Sequence, residues 1–240
     1  MKNTNLIILI LAGGNSKRLK HKKLKVLLKI KNQTLIDITI KLAKKFSENI
    51  FIVINKKLIY LKKNFLKLNF FIQKKALGTG HAVRELFNKN KFKKNNIFLV
   101  LYADTPFISK IDIKKMIKKS KTFDVVILGF ISKNNKSCGL IQKNEKGEII
   151  RIVEYKNSTT LEKKSKLCNS GAMIIRHNAM NLLSDIKKNK ITKEYYLTDI
   201  IDLSIKKGFK VGLVETINEI GSRGINDLKT YKQNSIHYQN

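Results

Sequence analysis

From Leu6 the chain is apolar for seven consecutive positions, LIILILA, and then breaks at Gly13-Gly14. A short unbroken apolar run ended by glycine predicts a strand covered on both faces. The rest of the first half alternates two periods. Residues 35–46 place apolar side chains at helical spacing behind Thr34, a residue type suited to capping the amino end. Strands are predicted at 50–54, 69–72 and 97–102, and helices at 57–66, 79–87 and 111–119, the second of these opened by Gly78-Thr79-Gly80. Strands alternating with helices imply parallel pairing in a doubly wound sheet.

After residue 120 the pattern changes. Residues 125–131, 140–142, 148–154 and 172–175 are strand-like, with turn signals at 134–137 and 144–147. A helix at 197–206, a strand at 211–214 and a last helix beginning within 226–231 complete the pattern. The second half therefore reads as a mixed extension of the same sheet. The predicted fold is α/β, a Rossmann-like doubly wound mixed sheet, in one domain over residues 1–234 followed by a frayed polar tail at 235–240.

Composition narrows the possible partners. With 42% hydrophobic residues in 240, a sizeable core can form. The net charge of +33 admits a phosphate-rich partner, but only five residues are arginine and the lysines are scattered along the whole chain. That argues against a specific nucleic-acid interface and for salt-sensitive, non-specific sticking at most. Two cysteines, Cys138 and Cys168, make no disulfide framework or zinc spacing and fit a reducing cytoplasm. The seven-residue apolar run is far below the ~20 residues of a membrane span.

Three segments carry candidate chemistry. In LAGGNSKRL, Leu11 to Leu19, the two glycines let backbone approach an anion, and Arg18 can fork two phosphate oxygens. The spacing matches neither GxGxxG nor a P-loop. In QKKALGTGHAV, Gln73 can donate to and accept from a base edge, and Gly78-Thr79 opens a helix amino end that suits an anion. His81 reads as a structural helix residue, since no base or nucleophile is spaced with it. In LYADTPF, Asp104 follows a buried strand at the sheet's carboxyl edge, where a hard oxygen ligand suits magnesium. Glu154 and Asn169 lie at strand edges in the second half and can hydrogen-bond sugar hydroxyls.

In this order the segments resemble the nucleotidyltransferase domain of bacterial N-acetylglucosamine-1-phosphate uridylyltransferases. The resemblance spans nearly the whole chain and adds Gly139, RIVEYKN, CNSG, EYYLTDI and GINDLKTY. It implies that Leu11, Ala12, Gly13 and Gly14 hold the nucleotide, that Gln73, Gly78 and Thr79 recognise uridine, and that Gly139, Glu154 and Asn169 bind the amino sugar, with Tyr102 also contacting substrate. It implies Asp104 and Asn226 as Mg²⁺ ligands, Asn226 touching substrate as well, and Arg18 and Lys25 as catalytic phosphate contacts. Family members usually have Gly-Thr, Pro and Gly where this chain has Ser16-Lys17, Leu24 and Ala103. Ser16 and Ala103 are expected to add bulk where backbone meets nucleotide. The chain ends before the family's β-helix acetyltransferase, so that second activity is expected to be absent.

The implied reaction joins UTP and N-acetylglucosamine 1-phosphate in the cytoplasm, giving UDP-N-acetylglucosamine and pyrophosphate. Two alternatives remain. One keeps the fold but takes another sugar phosphate or nucleotide, as a molybdenum cofactor guanylyltransferase does. The other is a non-catalytic, basic nucleic-acid-binding protein on this scaffold.

Overall fold

The computed structural model describes residues 5–14 and 24–239. Its strands are β1 (Leu6–Leu11), β2 (Lys29–Ile30), β3 (Gln33–Thr34), β4 (Ile50–Ile54), β5 (Asn69–Ile72), β6 (Ile97–Tyr102), β7 (Val125–Ile131), β8 (Gly139–Lys143), β9 (Ile149–Glu154), β10 (Leu167–Arg176) and β11 (Val211–Thr216). The helices are α1 (Leu35–Ala43), α2 (Thr79–Asn88), α3 (Lys110–Lys119), α4 (His177–Met180), α5 (Ile200–Lys206), α6 (Glu219–Ser222) and α7 (Leu228–Gln239).

Nine strands form one mixed sheet in the order β11-β7-β10-β6-β1-β4-β5, with β8 on β10 and β9 on β8. The pairs β6-β1, β1-β4 and β4-β5 are parallel, as the alternation of strands and helices predicts. β10 runs antiparallel between β6 and β7 and joins the two halves. β1 explains its own uniform apolarity. Leu6, Ile8 and Ile10 enter the core beneath α1 and α3, while Ile7, Leu9 and Leu11 enter the core beneath α2 and α5.

Local chemistry accounts for several boundaries. Thr34 and Asp37 form a reciprocal capping box at the start of α1. The helix predicted at 57–66 is instead a 3₁₀ helix over Lys56–Asn64. Its only buried side chains are Leu58 and Leu61, three apart, which suits three residues per turn. Of the tail expected at 235–240, residue 240 lies outside the described residues. α7 continues to Gln239, because Tyr238 stacks on Phe107 at 3.7 Å and its hydroxyl meets Asn218. Among the described residues, no helix is long and apolar enough to cross a membrane.

Candidate active site

Two clefts open along the carboxyl ends of the parallel strands, where doubly wound sheets bind ligands. The first, about 430 Å³, is lined by Leu11, Ala12, Gly13 and Gly14 after β1 and by Gln73, Gly78 and Thr79 between β5 and α2. The second, about 570 Å³, is lined by Gly139, Glu154 and Asn169. Tyr102, Asp104 and Asn226 border both. Every predicted site residue within the described chain therefore faces one cleft or the other. Arg18, Ser16 and Lys17 lie outside the described residues.

The first cleft is shaped by backbone. Gly78 has φ +100°. A β-carbon there would come within 2.5 Å of the Tyr195 carbonyl oxygen, so only glycine fits without displacement. Tyr195 N–H donates to the Leu77 carbonyl at 2.8 Å, and Gly80 N–H donates to the Tyr195 carbonyl at 2.9 Å. The Thr79 hydroxyl accepts from Leu197 N–H at 3.1 Å. The EYYLTDI segment thus clamps the turn that opens α2. Gln73 spends its amide nitrogen inside the protein, donating to the Gly78 carbonyl at 3.1 Å. The expected use of both ends of this amide on a base narrows to the oxygen, which faces Gly13.

The second cleft is a cross-strand row. Gly139 on β8 pairs with Glu154 on β9 on one side and Asn169 on β10 on the other. Because Gly139 lacks a side chain, its two polar neighbours line an open floor. A β-carbon there would lie 3.5 Å from Glu154 Oε1. Just beyond Asn169, the β10–β7 register shifts, and β10 pairs with β6 only over Met173–Arg176. Gly171, at φ +91°, sits in this irregularity against the Tyr102 ring. β10 so diverges from the end of β6 and makes room for the cleft. Burial pushes the Tyr102 phenol well above its usual pKa, and its hydroxyl meets Thr79.

At the seam of the two clefts, Asp104 follows β6 in a turn closed by Thr105 N–H on the Tyr102 carbonyl. The Asp104 carbonyl accepts from Ile225 N–H at 2.9 Å, which sets Asn226 beside Asp104. The Lys25 ammonium ion-pairs with Asp104 Oδ2 and donates to Asn226 Oδ1 at 2.8 Å. Lys25 and Asp104 are only 16% and 19% exposed, so these charges interact with little screening. One cationic centre thus satisfies both predicted metal ligands. Their two oxygens are a donor pair of the hard type that Mg²⁺ takes, and the residues present fit the ion.

Two of the departures from the usual motif, Ala103 and Leu24, read differently in three dimensions. Ala103 is fully buried in the core and its N–H continues the sheet to the Leu11 carbonyl, so its methyl group does not crowd the first cleft. Leu24 adopts φ −61° and ψ 138°, the conformation proline would hold. Sequence reasoning also missed residues. Glu194 lines both clefts, and Lys136 and Arg223 line the second. Lys136 had no signal among so many lysines. Glu194 begins EYYLTDI, a segment conspicuous in sequence but without a chemical role there.

A doubly wound sheet with a glycine turn, an Asp after β6, an Asn just before α7 and a lysine bridging the two fits a nucleotidyltransferase. The chain belongs to the MobA-like NTP transferase domain family, whose model matches residues 8–145. It is similar to the bifunctional protein GlmU of Buchnera aphidicola subsp. Baizongia pistaciae, with 34% identity over 95% of this chain and 51% of the relative. It is 30% identical to the bifunctional protein GlmU of Francisella tularensis subsp. novicida over 92% of this chain and 49% of the relative. The chain spans about half the length of these curated relatives. A Bacillus anthracis protein described as a glucose-1-phosphate thymidylyltransferase and solved with sucrose shares the fold. Its TM-score is 0.77 at 18% identity, covering 98% of this chain and 96% of that one.

Proposed function

We propose that the protein is a cytoplasmic sugar-1-phosphate uridylyltransferase that converts UTP and N-acetylglucosamine 1-phosphate to UDP-N-acetylglucosamine and pyrophosphate. The observation that carries this reading is the Asp104–Asn226 pair at the seam of two clefts. One cleft has a glycine turn and the Gln73 amide oxygen, and the other has Glu154 and Asn169 flanking Gly139. The GlmU relatives over nearly the whole chain support the choice of substrates.

In this reading an ionised phosphate oxygen of the sugar phosphate forms a bond to the α-phosphorus of UTP. The bond from that phosphorus to the β-phosphate oxygen breaks, and pyrophosphate leaves with its electron pair. The attacking phosphate is already anionic near neutral pH, so no side chain need remove a proton. Catalysis then rests on holding the reactants in line and neutralising charge. Backbone donors of Gly13 and Gly14 hold the triphosphate, Glu154 and Asn169 orient the sugar, and Lys25 meets the phosphates where the clefts join. Asp104 and Asn226 would hold Mg²⁺, which would supply further charge neutralisation. Arg18 would add a second phosphate contact.

The test is a panel of nucleoside triphosphates and sugar phosphates read by pyrophosphate release. The expected best pair is UTP with N-acetylglucosamine 1-phosphate, with turnover lost on chelation of divalent ions. A preference for GTP or for another sugar phosphate would refute the substrate assignment. Asp104→Ala is expected to abolish turnover while leaving the thermal melt cooperative; wild-type turnover in that variant would remove the metal assignment.

A further inference from the structure

Gln73 faces a second partner besides the Gly78 carbonyl. Its Nε2 lies 3.3 Å from His81 Nδ1, in the first turn of α2. An amide nitrogen carries two hydrogens and offers no acceptor. The imidazole nitrogen facing it is therefore the unprotonated one, and the ring proton belongs on Nε2. Turning the amide over would bring Oε1 against the Gly78 carbonyl and against the Nδ1 lone pair. The amide thus has one stable orientation, with Oε1 toward Gly13 in the first cleft.

We propose that His81 is a specificity-determining positioning residue. Together with the Gly78 carbonyl, neutral His81 takes both amide hydrogens of Gln73, so that the cleft meets only an acceptor oxygen. Where that oxygen meets the N3 position of the pyrimidine ring, it favours uracil, whose N3–H donates, over cytosine, whose N3 is itself an acceptor. The inference rests on the reading of Gln73 as a base contact. His81 works through that amide and touches neither base nor phosphate.

Protonation of His81 puts a hydrogen on Nδ1, and the amide must turn or withdraw. Burial lowers the His81 pKa below the usual imidazole value, against an opposing pull from Glu85, while Arg84, Lys75 and Lys89 lower it further. The Tyr195 ring stands 6.1 Å away on the facing segment. The neutral form therefore prevails at neutral pH, and the effect emerges on acidification.

The experiment measures KM and kcat for UTP and CTP, and calorimetric UTP affinity without sugar phosphate, from about pH 5.5 to about pH 8. His81→Leu, which removes the acceptor, is expected to raise the UTP KM by about fivefold to tenfold with a much smaller change in kcat, and to narrow the UTP-to-CTP preference. His81→Asn, which restores an acceptor oxygen but does not titrate, is expected to recover the UTP preference and to lack the acid-side weakening of UTP binding seen in wild type. A UTP preference unchanged in His81→Leu, or an acid-side weakening retained in His81→Asn, overturns the inference and leaves the proposed reaction standing. If His81→Leu does not fold, the pH profile of His81→Asn decides alone. A wild-type protein with no preference for uracil defeats the base contact and this inference together.

Discussion

Behind the second cleft, burial together with the nearby Asp202 and Glu154 carboxylates pushes Asp199 up to about 6. Its folded pKa lies above its unfolded value, so between roughly pH 3.8 and pH 6 the folded state holds more protons. Stability from this group falls as pH rises through that window and stays reduced above it. Asp199→Asn is expected to raise stability by about 1 kcal/mol at neutral pH, after allowance for solvent screening, and by nothing below about pH 3.5. Calorimetric melts at the two pH values check this, and an equal gain at both would point to a cause other than charge. At the same scale, Lys25→Ala is expected to lower kcat by about 10²-fold or more, as for other preorganised charge-stabilising groups, and to lower the melt as well, because Asp104 loses its ion-pair partner. Asp104 and Gly78 were legible as cleft-lining residues because strand ends and glycine turns have local signatures. Glu194 was not, because most of its cleft neighbours are distant in the chain, and the His81–Gln73 contact was not, because only the turn at Gly78 folds these two side chains of one segment together.

Elements show where local rules suffice and where they fail. β4, β5, β6 and β7 run over the residues predicted, since continuous apolar runs between polar breaks leave little choice. The β2–β3 hairpin went unseen because two-residue strands carry no readable period, and its turn places Lys31 at φ +53° without a glycine to announce it. α1 depends on its cap. Thr34→Ala is expected to cost about 1 kcal/mol in chemical denaturation, with no change in nucleotide affinity. Gly78→Ala should differ in kind. The added methyl group meets Tyr195 backbone at 2.5 and 2.8 Å, so the clamp on the α2 turn must shift. A loss of UTP affinity by tenfold or more in calorimetry, exceeding any loss of stability, is the expected result.

For the whole molecule, charge and fold separate. The +33 charge acts over the entire surface, while the clefts use a few placed groups. Non-specific duplex DNA binding is expected to weaken at least tenfold between about 50 and about 200 mM salt in fluorescence anisotropy, without sequence preference. Tight binding that survives this change would favour a nucleic-acid role. The sequence by itself determined the run of strands and helices, the two-faced burial of β1 and the glycine turns, because each follows from periodicity or from backbone freedom within a few residues. Only the tertiary structure decided that β10 enters antiparallel, bends at Gly171 and sets Asn169 beside Gly139 and Glu154. It also decided that Lys25 spans Asp104 and Asn226, which come from distant parts of the chain. Such contacts depend on strand order and register, and these are fixed only when all the apolar faces are buried at once.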